Sequence, residues 1–158
     1  MDYAATSLEE ALAGLRRMPE EVRIAALAVP AAVRAVRPEP GTWSVIEYAC
    51  HVRDVYASYT IRLYRTRTEE RPALEPMLSD LRAVRFRYRE RELDPVLDEV
   101  AAHVAGFLDE IDRTKDWTRT ATRLPGEERT ALWLVRQALH EGRHHTRDIE
   151  AVGRAVAP

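Results

Sequence analysis

The sequence predicts an all-α protein built as a four-helix bundle. Three observations carry that expectation. Apolar residues recur at helical spacing with no convincing two-residue alternation, two stretches open on paired capping signals, and one long polar connection separates the second long helix from the third.

Leu8, Leu12 and Leu15, followed by Val22, Ile24, Ala25 and Leu27, place a first helix at about residues 7–29. Ser7 with Glu10 three places on forms a capping box, and Pro19 is expected to kink or split the helix. The run Arg37-Pro38-Glu39-Pro40-Gly41 is a break. Ser44 then caps a second helix from 45 to about 65. Glu47 completes its box, and Trp43 and Tyr48 stand at the two positions of a hydrophobic staple. That helix is apolar nearly all round, apart from a polar line through Glu47, His51, Asp54, Ser58 and Arg62.

Residues 67–79 read as a polar connection and about 80–91 as a short helical stretch. Asp94-Pro95 opens a third long helix, with Val96, Leu97, Val100, Val104, Phe107 and Ile111 on its apolar face. Residues 115–129 are expected to be a loop holding Pro125-Gly126. The last helix should begin near Thr130 and stop at Gly153. With 158 residues, the whole of 1–158 is expected to share one core.

Composition narrows the function classes. A formal charge of −2 offers no bulk attraction to nucleic acid. No apolar run approaches the roughly 18–20 residues of a membrane helix. The start Met1-Asp2-Tyr3 has no export signal and Cys50 is the lone cysteine, so a cytoplasmic location is expected. All but one of the 24 basic residues are arginine, Lys115 being the exception, which points to a GC-rich source.

Histidine carries the chemistry. Three of the five histidines fall within His140-Glu141-Gly142-Arg143-His144-His145. His140 and His144, four apart, share one helix face and can grip one ion from consecutive turns. His51, on the polar line of the second helix, is the natural third ligand. His103 is expected to be a structural residue. His145, turned about 100° from His144, is expected to lie outside the ligand set. Cys50 is read as packing.

The run Gly41-Thr42-Trp43-Ser44-Val45-Ile46-Glu47-Tyr48-Ala49-Cys50-His51, with Ala138 to Ile149 near the C-terminus, resembles the DinB superfamily. That superfamily includes YfiT-like metal hydrolases, a mycothiol-dependent isomerase, and transferases that use bacillithiol or mycothiol. The resemblance implies an up-down-down-up bundle, often dimeric, in which one histidine of helix 2 and two residues four apart on the last helix bind a zinc- or nickel-like ion. Carried over, these are His51, His140 and His144; in some members the first of the late pair is a glutamate.

His140-Glu141-Gly142-Arg143-His144 also spells the HExxH signature of zinc proteases. The 14 residues after it hold no extended metzincin pattern, and Arg143 puts a charge inside the motif. What survives is Glu141 as a base toward a nucleophile on the ion. The arginines between Arg82 and Arg91 are interleaved with Glu90 and Glu92 and read as a solvated face. Three imidazoles leave a coordination position open, the mark of a catalytic site. Such a site could serve water or a thiol; the resemblance to the DinB superfamily, with a GC-rich source, implies transfer of a mycothiol-like thiol to an electrophilic small molecule as the expected activity. Metal-dependent hydrolysis and a non-catalytic metal-binding bundle are the alternatives. Partners are expected to be that thiol, the small molecule and a second copy of the chain.

Overall fold

The computed structural model describes residues 5–157; the Met1-Asp2-Tyr3 start lies outside them. Helix α1 spans Leu8–Leu27, α2 Val45–Thr68, α3 Ser79–Arg85, α4 Leu93–Arg113 and α5 Ala131–Val156. Short 3-10 turns occupy Ala31–Val33 and Tyr88–Glu90, and a hairpin pairs β1 (Thr120–Leu124) with β2 (Glu127–Thr130).

Both expected capping boxes form. Ser7 and Glu10 exchange backbone and side-chain hydrogen bonds at the start of α1, as Ser44 and Glu47 do at the start of α2. α1 continues unbroken across Pro19, because Leu15 and Met18 before it and Val22, Ala25 and Ala26 after it bury one continuous stripe. Burial on both sides holds together what the proline alone would divide.

Each of α1 and α2 packs against both α4 and α5, and far less against the other. Side-chain pairs give the directions. Arg53 meets Glu99 and Arg67 meets Glu110, so α2 and α4 run parallel. His51 meets His145 while Tyr56 meets Ala138, so α2 and α5 are antiparallel. A Cβ on Gly14 would meet Leu139, and one on Gly153 would meet Val29, so α1 and α5 are parallel. The order is up-down-down-up, which requires the long crossover between α2 and α4.

Three local expectations change. Residues 115–129 are not all loop: Pro125-Gly126 makes the hairpin turn, with Gly126 at φ +77°. The hairpin also pins the crossover, since the Leu74 N–H donates to the Thr122 carbonyl at 2.8 Å and the Thr122 N–H to that of Pro72 at 2.9 Å. α4 begins at Leu93, with Pro95 inside its first turn, where the missing N–H costs no helix bond. α5 does not stop at Gly153 but runs on to Val156. Gly153 serves contact instead, because a Cβ there would lie 2.5 Å from Val29 Cγ2.

Candidate metal centre

The site lies between the start of α2 and the middle of α5. The capping box fixes the first turn of α2, and Arg37 clamps Glu47 from the preceding loop at 2.9 and 2.5 Å. Burial would raise the Glu47 carboxyl, but Arg37 and the Ser44 cap together hold it below its ordinary value. The predicted staple forms: the Trp43 and Tyr48 rings are 5.5 Å apart, edge to face. The same pair walls the site, Trp43 lying 5.1 Å from the His51 ring and Tyr48 5.7 Å from that of His145.

Gly142 sets the approach of α5. A Cβ there would stand 2.2 Å from the Tyr56 hydroxyl and 2.9 Å from Met18 Sδ. With no side chain at 142, α5 seats closely on α1 and α2, and the residues on the neighbouring edge of the helix face His51.

Those residues are Glu141 and His145. His51 Nε2 lies 3.1 Å from His145 Nε2, and a Glu141 carboxylate oxygen lies 3.4 Å from the same His145 nitrogen. One ligand atom each from His51, Glu141 and His145 falls within 4.8 Å of the others. His51 is only 7% exposed and the His145 side chain 13%.

The expected trio of His51, His140 and His144 does not converge. His140 and His144 do share a face, their rings stacked 5.9 Å apart and 9° from parallel, but among the described residues neither falls in the cluster of ligand atoms around His51. The His144 side chain is 56% exposed. At about 100° per residue, His145 sits roughly 50° from the middle of the buried stripe of α5, whereas His140 and His144 sit roughly 150–170° from it. That stripe comprises Leu134, Val135, Ala138, Leu139, Gly142, Thr146, Ile149 and Val152. Its apolar members are legible in the sequence, and they select Glu141 and His145 over the pair one position earlier. His145, expected outside the ligand set, is the residue of α5 that faces His51 in the candidate cluster. His103 is exposed on α4 rather than a buried structural residue. Cys50 is fully buried, as expected, and burial pushes its thiol up to about 12.

The donor set suits a divalent ion. Burial, reinforced by the facing His145, pushes His51 down to about 4, so its imidazole is neutral near pH 7 and keeps a lone pair. The Glu141 carboxyl is held down to about 2, chiefly by its hydrogen bond with His145 against the effect of burial and with help from Gln137, so it is ionised. Two nitrogens at about 2.0–2.1 Å from one zinc stand roughly 2.9–3.4 Å apart for bond angles between about 90° and 109°. The observed 3.1 Å falls inside that window.

A family model described as the DinB superfamily matches residues 14–149. The chain belongs to the DinB superfamily. No match is found among curated proteins. Among solved structures, this DinB-superfamily chain is similar to YfiT from Bacillus subtilis, described as a probable metal-dependent hydrolase with an unusual four-helix bundle topology. The TM-score is 0.82 at 18% identity, over 95% of this chain and 89% of that one. At that identity the likeness establishes the shared fold.

Two aspartates near the site play different parts. Asp148 receives His145 Nδ1 at 2.9 Å. Asp54 does not reach His51; it is held by Arg53 and Arg82 at 3.0 Å each and by the Tyr88 hydroxyl. Arg82, its side chain 42% exposed, lies on the solvated face expected of that segment and reaches in to pair with buried Asp54.

Proposed function

We propose that this chain is a divalent-metal-dependent enzyme in which His51, Glu141 and His145 hold one ion, zinc or nickel first, and a small nucleophile is activated beside it. The observation that carries the reading is the convergence of two imidazole nitrogens and a carboxylate from helices far apart in sequence. Three protein donors leave open coordination positions, as catalytic sites do. When bound there, a divalent ion would supply Lewis acidity, lowering the pKa of a thiol or of water.

A low-molecular-weight thiol of the mycothiol kind is the nucleophile favoured here. The carboxylates around the site are engaged, Glu141 by Gln137 and His145, Asp148 by His145, and Asp54 by Arg53, Arg82 and Tyr88. That arrangement suits a nucleophile that loses its proton readily, and a thiol does so near pH 8.5. Glu141, expected as a general base, is better placed as a ligand. Cys50 cannot serve as the protein's own nucleophile, being buried with its thiol pushed up to about 12. Trp43 and Tyr48 would shield the reacting atoms from water on one side.

Hydrolysis is the second reading. It is favoured by the donor set, two histidines and a glutamate, which zinc hydrolases also use, and by the description of YfiT. The test is elemental analysis of protein purified without a histidine tag, followed by matched assays of metal-loaded and metal-free protein. Faster conjugation of a thiol to a dinitrobenzene or bimane electrophile by the loaded form is the expected result. Ester cleavage without thiol conjugation would establish the second reading. Equal rates for both forms in both assays would refute an enzymatic role.

A further inference from the structure

Along one edge of α5 run Gln137, Glu141, His145 and Asp148, each roughly one turn from the next. The two inner residues face His51, and each outer residue binds the atom of its neighbour that points away from His51. Gln137 Nε2 donates to Glu141 Oε1 at 2.6 Å, leaving Oε2 toward His145. Asp148 Oδ2 lies 2.9 Å from His145 Nδ1, leaving Nε2 toward His51.

We infer that Gln137 and Asp148 are positioning residues that choose which atom Glu141 and His145 present to a metal ion shared with His51. The inference rests on the metal reading above.

A carboxylate oxygen flanks each ring nitrogen of His145, Asp148 at 2.9 Å from Nδ1 and Glu141 at 3.4 Å from Nε2; because a carboxylate only accepts, the closer contact takes the single proton of the neutral ring onto Nδ1 and leaves Nε2 with its lone pair. Without Asp148 the neutral ring would favour the proton on Nε2, the atom the ion needs. In the metal-free protein the 3.1 Å contact between the two Nε2 atoms then takes its hydrogen from His51. Gln137 acts on the other donor by occupying Oε1, so Glu141 offers one oxygen rather than two. Outer partners of this kind typically change metal affinity 10–100-fold.

His144 Nε2 lies 3.5 Å from the same Asp148 oxygen, and His144, His145 and Asp148 form a second cluster with ligand atoms within 4.8 Å. That cluster shares His145 with the first and lies on the outward side of α5. The experiment separates a positioning Asp148 from a ligating one.

Long-range proton–nitrogen NMR on the metal-free protein, at a pH of about 8.5 where an ordinary imidazole is neutral, reads the tautomer of His145 directly. Competition with a chromophoric chelator reads zinc affinity and stoichiometry. Wild type should carry its His145 proton on Nδ1 and bind one zinc. D148A should move that proton to Nε2 and bind zinc 10–100-fold more weakly. D148N, whose carbonyl oxygen still accepts from Nδ1, should keep the wild-type tautomer and lose about threefold or less. Q137A should leave the tautomer unchanged and weaken zinc about tenfold. Unchanged helical CD confirms that the variants fold.

Zinc binding that D148A leaves intact, with Nδ1 still protonated, overturns the inference alone. Two zinc ions in wild type, with only the second lost in D148A, also overturns it, by making Asp148 a ligand. Failure of wild type to bind zinc or nickel overturns the metal reading and this inference with it.

Discussion

Replacing Gly142 by alanine puts the packing behind the site to a direct test. Helix propensity alone says the change should stabilise α5 by about 1 kcal/mol. The surroundings say otherwise. The new methyl carbon would stand 2.2 Å from the Tyr56 hydroxyl, 2.9 Å from Met18 Sδ and 3.0 Å from Met18 Cε. Met18 can give way by rotating its thioether. Tyr56 cannot, because its ring is fully buried against Phe107 and its hydroxyl donates to the Ala138 carbonyl at 3.2 Å. Overpacking costs about 1–3 kcal/mol and a lost buried hydrogen bond about 1 kcal/mol. Against the gain in propensity, a net loss of roughly 1–3 kcal/mol is expected, or about 3–10 °C in Tm for a chain of this size. Urea unfolding followed by far-UV CD measures it, with a chelator present so that bound metal does not contribute. An unchanged or raised midpoint would refute the close-approach argument.

His145→Ala should abolish stoichiometric metal binding while His144→Ala and His140→Ala retain it, as read by elemental analysis after dialysis; the opposite pattern would return the site to the pair one position earlier. Cys50 should resist a thiol reagent at pH 8 in the native protein and react as one equivalent in denaturant, because burial pushes its thiol up to about 12. Glu47→Gln should cost about 1–3 kcal/mol at pH 7, discounted because Arg37 is partly exposed. The Glu47 carboxyl is lowered on folding, so its contribution is complete above its unfolded pKa of about 4.5 and is lost as pH falls through the lower folded value. The two proteins should therefore converge in stability in acid, as read by denaturation at a series of pH values.

What was legible in the sequence is what local chemistry dictates. Ser7 with Glu10 and Ser44 with Glu47 announced both helix starts, and the Trp43–Tyr48 staple formed as its spacing required. The hairpin was obscured because its strands offer little apolar alternation: Ala121 is the buried residue among Thr, Arg and Glu neighbours, and Pro125-Gly126 alone marked the turn. At the site, His51 was found because a polar residue on an apolar helix stands out. The residues of α5 that face it, Glu141 and His145, stand one position from the expected pair. The spacing of four is satisfied equally by His140 with His144 and by Glu141 with His145. Only rotation of α5 relative to its buried stripe distinguishes them, and Gly142, a buried residue without an apolar side chain, blurred that stripe.

The two facing imidazoles belong to residues 94 positions apart, the first contributed early in the chain and the second by the last helix. Such a pair has consequences for the order of assembly. Closing so long a loop costs entropy that the packing of the bundle helices must offset, so the donors are expected to meet late in folding. An ion seated there would bridge α2 and α5 like a late-fitted rivet, stabilising the finished bundle without templating it. Chelation should then leave an intact helical protein, and the rate of metal uptake should become a clock for the docking of α5.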